Sequence, residues 1–149
     1  HDTLDYDGYR TELFDNGVLQ IGIARENENF FNLPDSSPDY GLKIAAYYFW
    51  LFPNIMLNFY PWGLSVNIVI PISVDKTKIV YYGYVWNEDL LHKGAGADLD
   101  KVEAEDQDIV EKVQRGIQSD MYVNGRYSPT KETGVHHFHR LLSSSLSNK

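Results

Sequence analysis

Asp106 stands where a carboxylate is least expected. On a helical wheel at about 100° per residue, Val102, Ile109, Val110, Val113 and Ile117 form one apolar stripe of the segment Asp98 to Gln118, and Asp106 falls in its middle. Glu103 and Glu105 flank the stripe, while Asp108, Glu111, Lys112 and Arg115 lie away from it. A carboxylate on a core-facing stripe loses its hydration, which is costly unless a metal ion, an Arg or Lys, a backbone cap or a proton compensates it. On these grounds metal ligation and a plain structural salt bridge both stay open.

Three other groupings invite chemistry and carry less of it. His136 and His139 are helical neighbours at i, i+3 with His137 between them, a spacing that can hold zinc or nickel weakly. No His-Glu-x-x-His pattern accompanies them, so a polar or packed helix face is the expected reading. Gly94-Ala95-Gly96-Ala97 precedes the acidic Asp98 and Asp100 without the following Lys or the strand–helix–strand unit of a phosphate loop. It is expected to be a connection ending in an N-cap Asp. Serine-triad chemistry lacks a nucleophile elbow.

The elements that must position these groups change character along the chain. Asp2 to Asp15 is polar with scattered Tyr and Leu. Gly17 to Ala24 alternates like a half-buried strand, and Arg25 to Gly41 reads as a long surface loop. Further strands are expected over Lys43 to Leu51, Asn54 to Tyr60, Leu64 to Ile72 and Lys78 to Trp86. A turn at Pro61-Trp62-Gly63 joins the second to the third, and Pro71 marks an edge or a bulge. Links this short imply an antiparallel meander. Helical spacing then takes over, first from Asp98 to Gln118 and again after a Ser128-Pro129 cap, with Val135, Phe138, Leu141 and Leu142 on one side. The expected class is α+β, an antiparallel sheet with C-terminal helices packed on one face.

The bulk numbers bound the possibilities. The 149 residues carry a net charge of −8, which argues against a nucleic-acid surface. The longest apolar stretch, Ile44 to Phe52, is far short of a membrane span. With no Cys, these residues offer no disulfide, thiolate zinc site or thiolate-held iron–sulfur cluster. That is compatible with a cytoplasmic protein. The chain begins at His1 and not Met, without a secretory or transit pattern, as a mature product or a fragment of a longer chain would.

Three blocks carry a family resemblance. VEAEDQDIVEKVQRGIQS, from Val102 to Ser119, resembles the helix that donates the aspartate iron ligand in Rieske-type non-haem iron oxygenase α subunits. It has the acidic pair Glu105-Asp106 and, eight residues beyond Asp106, Gln114. LFPNIMLNFYPWGLSVNIVIPIS, from Leu51 to Ser73, resembles the family's central strands. GRYSPTKETGVHHFHRLL, from Gly125 to Leu142, is similar to its C-terminal helix, most of all in the branch acting on choline and carnitine. The blocks stand in the family's order and cover nearly the whole chain.

The resemblance implies a partial domain of the helix-grip type (Bet v1/START-like), with residues 1–149 as the C-terminal part of the mononuclear-iron catalytic domain. It implies Fe(II) held by two His and one Asp, a facial set that leaves positions open for O2 and substrate. Asp106 would be the carboxylate ligand. His1 would be the second of the paired histidines, or else a tag remnant. The [2Fe–2S] Rieske domain is absent from this chain, which alone is not expected to turn over substrate. A small-molecule substrate, O2, a ferredoxin or flavin reductase and a homotrimeric parent are implied in the same way. If the substrate is a quaternary ammonium compound, some rings among Tyr47 to Phe52, Tyr60, Trp62 and Tyr81 to Trp86 would box the cation; otherwise these are core and sheet surface. The rival from another class is a non-catalytic ligand-binding module of the same grip. In that case Asp106 would pair with a basic side chain or cap a backbone group.

Overall fold

The structure is a computed structural model that describes residues 3–147. Six strands form one antiparallel meander in chain order: β1 (Leu4–Phe14), β2 (Gly17–Ala24), β3 (Ile44–Leu51), β4 (Ile55–Tyr60), β5 (Gly63–Ser73) and β6 (Lys76–Val85). A short turn of 3-10 helix at Glu88–Leu90 follows, then α1 (Leu99–Ile117) and α2 (Thr133–Ser147). The α+β class and five of the strands agree with the sequence pattern to within two residues at most ends.

β1 is a strand that the sequence pattern did not announce. It is the sheet edge, mostly exposed, and its pairing with β2 shifts register between Asp5 and Arg10. With one neighbour and water on the other side, polar residues sit there without cost, so no alternation betrays the strand. Pro71 combines the two expected behaviours. A register shift follows it, and β4 has ended by Val69, so Pro71 has a partner strand only on the β6 side. That is where a residue without an N–H is tolerated.

The core lies on both faces of the sheet. On the side opposite the helices Leu19, Ile21 and Ile44 are buried, covered by Phe31 and Leu33 from the long loop. The loop is held there by the Phe31 N–H donating to the Ile44 carbonyl at 2.8 Å. On the helix side Ala24, Ala46, Tyr60, Trp62 and Ala95 form the second cluster, joined by Leu99 from the first turn of α1. Gly96 lets that loop come close. Its φ is +74°, and a Cβ there would stand 2.8 Å from the Tyr60 ring.

The two helices hold the sheet differently. α2 lies against β1 and β2, with Phe138 edge-on to Trp50 at 5.1 Å between ring centres. The His137 Nε2–H donates to the Phe14 carbonyl at 2.8 Å, pinning the helix to the β1–β2 turn. Ser128 caps the turn ahead of α2. Its hydroxyl accepts from the Lys131 N–H, and the Glu132 carboxylate accepts from the Ser128 N–H. The two bonds are reciprocal as in a capping box, with the acid one residue later, at the fourth position after Ser128. α1 corrects an expectation. Only Leu99 and Glu103 are half-buried, and the stripe of Val102, Ile109, Val110, Val113 and Ile117 stays open, with Val110 66% exposed. Asp98 holds the N-cap position but makes no side-chain cap bond.

Candidate functional site

Strand register assembles a polar row on the helix side of an otherwise apolar sheet. Thr11 pairs with Gln20, Gln20 with Tyr48, Tyr48 with Asn58, Asn58 with Ser65, and Ser65 with Gly83. The next row on the same face runs Val18, Trp50, Met56, Asn67 and Tyr81. The Ser65 hydroxyl donates to the Asn67 side-chain oxygen at 2.9 Å, so the two rows are tied at β5. Between these rows and α2 lies a groove of about 720 Å3. Its walls include Val18, Trp50, Met56, Val69, Phe138 and Leu142, and Gln20 opens it toward the polar row. An apolar cleft with a few convergent polar groups is the usual form of a small-molecule site.

At the other end of the same face the aromatic residues are stacked and kept neutral. Tyr48 and Tyr60 meet edge-on at 5.9 Å, Tyr60 lies flat on Trp62 at 5.2 Å, and Tyr9 stacks on Tyr48. Burial raises the phenols of Tyr9, Tyr48 and Tyr60 well above the ordinary value, because it disfavours the phenolate. The Trp62 indole N–H is buried without an acceptor among the described residues.

α1 brings two carboxylates to this face. Burial, then its proximity to Asp100 and Asp106, raises the Glu103 carboxyl; Glu103 in turn acts on Tyr60 and Tyr81. Asp106 also lies within electrostatic reach of Tyr81. Asp106 is exposed and not buried as its place on the wheel suggested, because α1 meets the sheet only through its first turn. Among the described residues no Lys, Arg or His forms an ion pair with it. The basic partner that a plain salt bridge requires is therefore not found there.

The other sequence candidates resolve into packing. Tyr127 hydrogen-bonds His139 through Nδ1 and meets the His136 ring edge-on at 5.2 Å, while His137 is spent on the Phe14 carbonyl. The Gly94 to Ala97 stretch is a connection that seats Tyr60. His1 lies outside the described residues. Iron chemistry needs more donors than Asp106: no group of three His, Cys, Asp or Glu able to hold a metal occurs among the described residues. One open carboxylate fits a share in such a site and does not complete it.

Comparison with known proteins decides what kind of domain this is. Residues 25–148 match the family described as ring hydroxylating alpha subunit (catalytic domain). The chain belongs to that family. It is 33% identical over 149 residues to a chloroplastic choline monooxygenase from Spinacia oleracea, covering 96% of this chain and 32% of the relative. It is 29% identical over 154 residues to the carnitine monooxygenase oxygenase subunit of Escherichia coli (strain K12), covering 95% of this chain and 40% of that one. The crystal structure of the quaternary ammonium Rieske monooxygenase CntA superposes with a TM-score of 0.70 at 26% identity, over 96% of this chain and 39% of that chain. The chain thus spans about a third to two fifths of these relatives. The resemblance read from the three blocks holds, and a stand-alone carrier of the same grip is not favoured.

The polar row was missed in the sequence. Its signal was present as Gln20, Asn58, Ser65 and Asn67 recurring at matching parity in otherwise apolar strands. Only register shows that Gln20, Asn58 and Ser65 share a row, with Asn67 beside them in the next.

Proposed function

We propose that this chain is the C-terminal part of the catalytic domain of an Fe(II) oxygenase that hydroxylates or demethylates a quaternary ammonium compound with O2. The observation carrying the proposal is Asp106: an open carboxylate on α1, without a basic partner among the described residues, within the stretch matched by the family. In this reading Asp106 supplies one iron ligand, and His1 is the remaining member of a two-His, one-carboxylate set whose first His precedes this chain. Such a set polarises nothing by itself; bound iron supplies the O2 chemistry, and the protein's share is a fixed, dry and shaped cleft. The apolar groove under α2 and the row from Gln20 to Ser65 suit that share.

Electrons would come from a [2Fe–2S] Rieske cluster outside this chain, fed by a ferredoxin or flavin reductase. In a homotrimeric parent, one subunit's cluster would serve its neighbour's iron. The rest of the parent would also cover the bare stripe of α1, which no described element covers. No helix among the described residues is long and apolar enough to cross a membrane. A cytoplasmic location belongs to the same reading; the chloroplastic relatives raise the chloroplast as the other compartment, and fractionation separates the two.

The test is iron content of the intact parent protein, native against Asp106→Ala. Loss of most mononuclear iron with the [2Fe–2S] spectrum intact is the expected result. Unchanged iron in a folded variant refutes the ligand assignment.

A further inference from the structure

We propose that the groove under α2 seats an uncharged hydrocarbon chain, so that the substrate is an amphiphile with a quaternary ammonium head and an alkyl or acyl tail. The inference rests on the quaternary ammonium reading and adds to it the other end of the molecule.

The walls come first. α2 lies against β1 and β2, while Met56, Val69 and Pro71 carry the groove on across β4 and β5. Trp50, Phe138 and Leu142 add to its apolar surface. Among the described residues no Asp, Glu, Lys, Arg or His lines it. Of its two side-chain amides, that of Asn54 is spent on the Val69 carbonyl at 2.8 Å. Only the Gln20 amide is left without a hydrogen bond among the described residues. A charge placed here would lose its hydration without gaining a counter-charge, whereas hydrocarbon gains by leaving water. The same walls disfavour extended peptide as the occupant. Each of its residues would bring an N–H and a C=O, and one free amide cannot answer them.

Size comes second. The groove has a volume of about 720 Å3. At about 30 Å3 per water-sized group it has room for roughly 20 heavy atoms, of which choline's seven or so would fill about a third.

Position gives the molecule its direction. Register sets Gln20, Tyr48, Asn58 and Ser65 one step along the sheet from Val18, Trp50 and Met56, and Tyr60 with Gly63 one step beyond. Each step is two residues, about 7 Å. Leu99 seats α1 on the cluster that contains Tyr60. The face thus passes from an apolar groove, through polar side chains, to the helix that carries Asp106. A molecule laid along it is apolar at the α2 end and polar toward α1, where the oxygenase reading puts the reaction.

The experiment is calorimetric titration of the intact protein with tetramethylammonium and with butyl-, hexyl- and octyltrimethylammonium. Native protein should gain about two- to fourfold in affinity per methylene, of order one hundredfold from methyl to hexyl. The heat-capacity change on binding should grow more negative along the series. Leu142→Trp, at a groove-wall position that is 38% exposed, fills the groove without disturbing the core and should remove most of the hexyl-to-methyl ratio. A series that is flat in native protein overturns the proposal. So does a ratio unchanged in folded Leu142→Trp, which would put the chain elsewhere, the bare stripe of α1 included. The headgroup is judged separately, by choline against its neutral carbon isostere with a tert-butyl group in place of the trimethylammonium. Equal affinity there overturns the quaternary ammonium reading, while the chain-length gain and its loss in Leu142→Trp still decide the groove.

Discussion

Replacing Gly96 by Ala tests how the loop before α1 is seated, because two separable costs meet there. At φ +74° an L-residue is strained by about 1–2 kcal/mol. The new Cβ would also stand 2.8–2.9 Å from three atoms of the Tyr60 ring. Tyr60 is 4% exposed and stacked on Trp62, so it has little room to yield; overpacking of this kind costs about 1–3 kcal/mol. Together the expected loss is about 3 kcal/mol, of order 10 °C in Tm for a domain of this size. Two other glycines separate the parts. Gly41 has φ +82° with nothing within 4 Å of a Cβ, so Gly41→Ala should lose about 1–2 kcal/mol from backbone strain alone. Gly116 sits near the end of α1 with open space around it, so Gly116→Ala should gain about 0.5–1 kcal/mol from helix propensity. Urea unfolding followed by far-UV circular dichroism measures all three. If Gly96→Ala loses no more than Gly41→Ala, the close seating of the loop on Tyr60 is wrong. If neither is destabilised, the left-handed conformations are wrong as well.

Other consequences are equally direct. Stability should be full below about pH 10 and fall above it. The unfolded chain releases tyrosine protons near 10.0, whereas the folded chain holds those of Tyr9, Tyr48 and Tyr60 to higher pH, and that of Tyr47 to about 12. Each buried tyrosine steepens the fall by up to about 1.4 kcal/mol per pH unit, so Tyr48→Phe should show a shallower alkaline limb in unfolding curves taken from pH 9 upward. Phe138→Ala should release α2 from Trp50 at a cost of about 2 kcal/mol, and amide exchange should quicken in Thr133–Ser147 before it does in β2 and β3. Uniform exchange across helix and sheet would sink that docking.

Much of this protein was written locally. Alternation announced the strand from Gly17 to Ala24, and short turns announced the meander from Lys43 to Trp86, because short links leave no room for a parallel crossover. Helical spacing announced α1 and α2, and the string around Asp106 announced the family that residues 25–148 match. Three things waited for the tertiary structure. β1 was hidden because an edge strand facing water need not alternate. The row Gln20, Tyr48, Asn58 and Ser65 exists only through register, since its members come from four strands that know nothing of one another locally. The wheel placed Asp106 among apolar residues and so implied burial; the structure keeps it open and puts Leu99 and Glu103 against the sheet. A wheel shows which residues share a side of a helix. Where along its length the helix meets its partner depends on the path of the loop before it, and Gly96 against the Tyr60 ring sets that path.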